Sequence, residues 1–125
     1  MEDEGVEAGV YYSEQFGRVW MIALQGDFDL DRLGIVQKVT EQALAAFDGP
    51  IVFDLALVSF CDSALLNHLV RTAARRPTAL VHLSTAVARL LELTGAGAVF
   101  AAYEDVIARA SDPDPDPDPD AGSGA

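Results

Sequence analysis

Between residues 9 and 110 the apolar positions of this chain switch repeatedly between two periods, and each switch predicts a change of element. Val10 to Phe16 and Val19 to Leu24 flank Gly17-Arg18, the pattern of a hairpin of two strands. Gly26-Asp27-Phe28-Asp29 is expected to break the second strand. Leu30, Leu33, Val36, Val39, Ala43 and Phe47 then recur at helical spacing, up to a stop at Asp48-Gly49-Pro50. Ile51 to Leu57 is apolar on both faces, as a central strand must be. Asp62 to Arg76 predicts a helix with Leu66, Leu69, Val70 and Ala73 inward, ended by Pro77. Thr78 to Leu83 is a fourth strand. Ser84-Thr85 caps a helix whose Val87, Leu90, Leu91 and Thr94 share a face, closed by Gly95. Ala98 to Ala102 completes the pattern as a short fifth strand, before a last helical segment from Glu104 to Arg109.

A hairpin followed by βα units implies an α/β fold, a mixed sheet of about five strands with a parallel centre and helices packed on it. In open sheets of this kind functional loops gather beyond the carboxyl ends of the strands. Asp27 and Asp29 follow the second strand, Asp62 and Ser63 the third, and Ser84 the fourth, so the three loops could share one rim.

Length and composition narrow the class. The 125 residues suit one domain and are too few for two cores, and half of them are apolar. A single cysteine excludes an internal disulfide and a cysteine-based zinc site, and a reducing compartment fits best. No apolar run approaches a membrane span, and the acidic start Met1-Glu2-Asp3-Glu4 is unlike a signal peptide. A soluble, cytoplasmic protein is expected.

The net charge of −12 is concentrated at the ends. The aspartates at 112, 114, 116, 118 and 120 carry −5 of it, leaving −7 on residues 1–111, to which Glu2, Asp3, Glu4 and Glu7 contribute. Nucleic acid and anionic membranes are therefore poor partners, and a basic protein surface a good one. Residues 1–9 read as an acidic extension, 10–110 as the folded domain, and 111–125 as a disordered tail of alternating Asp and Pro.

The candidate chemistry centres on Phe60-Cys61-Asp62-Ser63-Ala64-Leu65-Leu66, where a strand hands over to a helix. Free backbone N–H groups and the positive end of a helix dipole meet there, a natural seat for a phosphate. The plainer alternative is that Asp62 or Ser63 simply caps the helix. Enzyme chemistries fit poorly. Ser63 lacks the Gly-x-Ser-x-Gly setting of a nucleophile elbow, and neither His68, on the same helix, nor His82, within a strand, is aimed at it. Asp27, Asp29 and Asp62 come with no phosphate-binding glycine loop or lysine, so no metal or nucleotide cofactor is expected. Cys61 beside Asp62 would have its thiol pKa raised, which favours an inert, packed role.

Three blocks in order resemble the STAS domains of bacterial anti-sigma factor antagonists. They are Leu24-Gln-Gly-Asp-Phe-Asp29, Val52 to Ser63, and Ser84 to Gly95. The resemblance implies a non-enzymatic binding module whose phosphoacceptor is Ser63. Its partner would be an anti-sigma factor with serine kinase activity, and a serine phosphatase would reverse the modification. Asp27, Asp29, Asp62, Ser63, Ala64, Leu65 and Asn67 would form the partner-binding surface, with Asp29 in kinase contact and Asp62 shaping the loop. The chain departs from the family's Asp-Ser-(Ser/Thr)-Gly-Leu-Gly pattern at Leu65, where glycine would admit a partner's backbone. That departure is expected either to demand a complementary pocket or to weaken docking. It keeps open a non-switching STAS scaffold that binds its partner constitutively, and a small nucleotide-binding or hydrolytic domain is a further alternative. Oligomeric state is left open.

Overall fold

The computed structural model describes residues 9–28 and 32–111. The chain runs β1 (Gly9–Phe16), β2 (Val19–Phe28), α1 (Gly34–Ala46), β3 (Ile51–Cys61), α2 (Ser63–Arg75), β4 (Thr78–Val81), α3 (Thr85–Thr94), a 3₁₀ turn (Ala96–Val99) and α4 (Tyr103–Ser111). The strands form one sheet in the order β1-β2-β3-β4, antiparallel between β1 and β2 and parallel thereafter. The α/β class and the mixed sheet with a parallel centre are as expected; the strand count is four. Residues 96–99 coil into the 3₁₀ turn where the fifth strand was expected, because Gly95 adopts a left-handed φ of 71° that turns the chain away from the sheet. One strand-like bond survives, from Ala101 N–H to Thr78 O at 2.8 Å.

The second strand does not stop at Gly26. It continues to Phe28, paired with β3 through Gly26↔Val58, Asp27↔Phe60 and Phe28↔Cys61. Two register shifts, at Ala23/Gln25 and Gly26/Asp27, absorb the mismatch, and the φ of 94° at Gly26 is one that glycine takes without strain. β3 likewise outruns its predicted end and reaches Cys61, whereas β4 ends at Val81 opposite Asp54. The rim near Cys61 is therefore built from the ends of β2 and β3. Ser84 instead serves α3, its hydroxyl accepting from Val87 N–H.

One sheet face carries the main core, with Ile22, Leu24, Ile51, Phe53 and Leu55 packed against Val36 and Ala43 of α1, Leu65 and Leu69 of α2, and Val87 of α3. The other face is covered by α4 through Val106, on Val19, Val52 and Ala79. α2 is rotated from its expected setting: Leu65, Leu66, Leu69 and Thr72 are buried, while Val70 and Ala73 are only half-buried. Thr72 tolerates burial because its hydroxyl donates to His68 O. On α3 only Val87 is fully buried, and Thr94 is exposed. Arg76 ties the layers together, its guanidinium donating to the carbonyls of Leu44, Phe47 and Gly49 at the end of α1.

Candidate functional site

The hinge between β3 and α2 is held from three directions. Asp62 N–H donates to Phe28 O at 3.3 Å, tying the end of β3 to the end of β2. Asp62 is the N-cap of α2, with extended backbone and Oδ1 accepting from Ala64 N–H at 2.9 Å. Its carbonyl accepts from Leu66 N–H, the first bond of the helix ladder. Ser63 thus occupies the first helical position on a rigid corner, and it is exposed. The capping role and the presentation of Ser63 coexist: Asp62 caps, and Ser63 is left outward. The N–H groups of Ser63 and Leu65 lie in the same first turn, ahead of the helix's own bonding pattern.

Below the corner the surroundings are apolar. Phe28 is fully buried opposite Cys61. Burial, followed by the charge of Asp62, pushes the Cys61 thiol up to about 11, so it is protonated and unreactive at neutral pH.

Leu65 is fully buried. Its side chain fills the core and does not stand in a partner's path, so the departure from glycine leaves the outer surface of the hinge unobstructed. Placed among the partner-binding candidates, Leu65 is instead a core residue, because the third position of the helix turns inward here. Ala64 is half-buried and packs on the core, Asn67 is exposed one turn beyond Ser63, and Asp27 is exposed at the end of β2. Asp29 lies outside the described residues. Asp27, Asp62, Ser63 and Asn67 therefore gather at one end of the sheet.

Sequence reasoning missed two features of this end. The exposed stripe of α2 runs from Ser63 through Asn67 to Arg71, at the four-residue spacing of one helix face. At the surface of β3, Leu57 and Phe60 are about half exposed, at 50% and 51%, Leu57 paired with Gln25 and Phe60 with Asp27. The register shifts of β3 place them there, and an apolar run offers no sign of such shifts.

His68 and His82 are both away from Ser63 chemistry. Thr40 Oγ1 spends its only proton on Val36 O, so the 2.9 Å contact with His68 requires Nε2 to donate. His68 also stands edge-on to Phe53, and burial lowers its pKa. His82 pairs with Asp54 at 3.1 Å on the far side of β3. No cluster of three or more metal-ligating side chains occurs among the described residues.

A family model described as "Mlab, STAS domain" matches residues 14–101. The chain belongs to the STAS domain family. Two solved structures share the fold. An anti-sigma factor antagonist from Mycobacterium paratuberculosis is 20% identical with a TM-score of 0.68, over 86% of this chain and 96% of that one. The anti-sigma factor antagonist SpoIIAA in its unphosphorylated form is 20% identical with a TM-score of 0.56, over 84% and 95%. A search of curated proteins finds no match. The STAS fold is thereby shown. No single helix among the described residues of this STAS domain is long and apolar enough to cross a membrane.

Proposed function

We propose that this STAS domain is an anti-sigma factor antagonist, a cytoplasmic binding module without catalytic activity that is switched off by phosphorylation at Ser63. Its partner is an anti-sigma factor with serine kinase activity, and a serine phosphatase restores the binding form. The observation that carries this reading is the exposed Ser63 on a corner locked by the Asp62 cap. The surrounding surface suits docking. Phe60, paired with Asp27, supplies apolar area, while Asp27 and Asp62 favour a basic partner, as the charge of Asp29 would. Ala64 and Asn67 complete the contact, with Leu65 supporting it from the core.

A phosphate on Ser63 brings about −1.5 to −2 charges next to Asp62. The α2 dipole offsets roughly 0.3–1 kcal/mol of the repulsion at an exposed site. The domain therefore keeps its shape. In a docked interface the same dianion would be buried without a counter-charge, at a cost of several kcal/mol, or about a hundredfold or more in affinity. The partner reads the switch.

The burial of Leu65 favours switching over a constitutive scaffold, since it leaves Ser63 accessible. The test is a titration of the cognate anti-sigma factor with wild type, Ser63→Ala and Ser63→Asp, together with intact-mass analysis after incubation with ATP. Tight binding of the first two, loss of the third and one added phosphate on wild type alone are expected. Equal affinity of Ser63→Asp, or phosphate on Ser63→Ala, refutes the proposal.

A further inference from the structure

The sheet face opposite α1 and α2 carries an aromatic patch that neither the fold nor the hinge explains. Tyr12, Glu14 and Phe16 of β1 pair with Ala23, Met21 and Val19 of β2, and directly paired residues share a face. Val19 and Met21 belong to the cluster under α4, so this is the α4 face. Tyr12 sits at the centre, its hydroxyl donating to Met21 Sδ at 3.1 Å. Its ring lies 5.9 Å from Tyr11 and 6.0 Å from Phe16, centroid to centroid. Tyr103, at the start of α4, is close enough to join Asp54, Glu14 and Tyr11 in raising the Tyr12 pKa, after the larger effect of desolvation. The outer members remain open to solvent: Tyr11 is 61% exposed, Phe16 49% and Tyr103 39%.

Carboxylates outnumber cations around this patch. Glu14 and Asp54 flank Tyr12, Asp54 also pairing with His82, and Glu104 and Asp105 make the first turn of α4 acidic beside Tyr103, with Arg109 near the far end of that helix. Arg18, in the hairpin turn, marks the end of the patch near Phe16. Lys38, Arg71, Arg75 and Arg76 lie on α1 and α2 over the opposite face, or at the end of α2. Beyond the aromatics, β1 is the edge of the sheet, so its outer backbone groups have no neighbouring strand among the described residues. The strand contains no Pro or Lys, two of the devices that discourage edge pairing.

We propose that this face is a second docking surface, separate from the Ser63 corner, for an extended segment of another protein carrying Arg or Lys side chains. Open aromatic faces attract guanidinium and ammonium groups, the neighbouring carboxylates supply ion pairs, and the β1 edge offers main-chain bonds to an extended backbone. Anionic lipid and nucleic acid are repelled by the same carboxylates. A second copy of this chain, also at net −12, meets the same repulsion.

The probe is a short alternating Arg–Gly peptide, titrated into the ¹⁵N-labelled full-length chain at low salt and followed by amide chemical shifts. An alternating Glu–Gly peptide serves as the control. Shifts centred on Tyr11, Tyr12, Glu14, Phe16 and Tyr103 are expected, with affinity falling about tenfold in the Tyr11→Ser/Tyr103→Ser double variant, the loss of two exposed cation–π contacts. Both tyrosines are partly exposed, and an unchanged thermal melt establishes that the double variant is folded. Shifts confined to the aspartates of 112–120, equal affinity of the folded double variant, or no response overturns the proposal. So does self-association through the same residues in sedimentation without peptide, which assigns the face to a second copy.

Discussion

Leu65 is the sharpest test of how the hinge is built, because the motif it resembles has glycine there and the fold buries a full side chain. Leu65 has no exposed surface and sits in the core with Phe53, Leu55 and Leu69. Truncation to alanine removes its apolar contacts and leaves a cavity, a loss of about 2–5 kcal/mol. Glycine adds roughly 1 kcal/mol of helix propensity at the same position. Against a total stability of about 5–15 kcal/mol, Leu65→Gly should remove a large share of it. Leu65→Met, nearly equal in volume, should cost less than about 1.5 kcal/mol. Urea titrations read by the fluorescence of Trp20, the chain's single tryptophan and tilted against Phe47 at 5.9 Å, measure all three. With a slope of about 1.5 kcal/mol/M, the midpoint for Leu65→Ala should fall by roughly 1.5–3 M. Partner affinity per folded molecule should stay unchanged. A midpoint shift under about 0.3 M, or tighter partner binding by the folded variant, would show that the side chain faces outward and that the account of the hinge is wrong.

Two further outcomes concern the scaffold. Arg76→Ala should cost about 2–4 kcal/mol in the same titration, since three carbonyls at the end of α1 lose a charged donor. Arg76→Lys should recover little of it, because one ammonium cannot reproduce the guanidinium fork, and full rescue by lysine would contradict this. His68 has a folded pKa below its ordinary 6.5 through burial, so the unfolded chain binds its proton first. The stability held at pH 7.5 should therefore decline as the pH falls below about 6.5, the unfolded value. His68→Gln, which keeps a donor for Thr40, should flatten that decline relative to wild type in urea titrations at pH 7.5 and 5.5. Parallel pH dependences would exclude His68 as the source.

Much of this protein could be read from local chemistry. The hairpin at Gly17-Arg18, the Asp62 and Ser84 caps, the Gly95 stop and the doubly apolar run at Ile51 each depend on a few neighbouring residues, and each is present in the fold. The exposed place of Ser63 after the cap was legible for the same reason, since a cap and its following hydroxyl are a local pattern. Tertiary structure decided the rest. Whether β2 continued past Gly26 depended on whether β3 offered a partner, and it did, through register shifts that no single strand encodes. The fifth strand failed because Gly95 redirected the chain, although residues 98–102 are apolar enough to pair. The inward turn of Leu65, the reach of Arg76 to the end of α1 and the aromatic face around Tyr12 all join residues distant in sequence. Propensity acts over a few residues, whereas burial and pairing are settled only when separate elements meet.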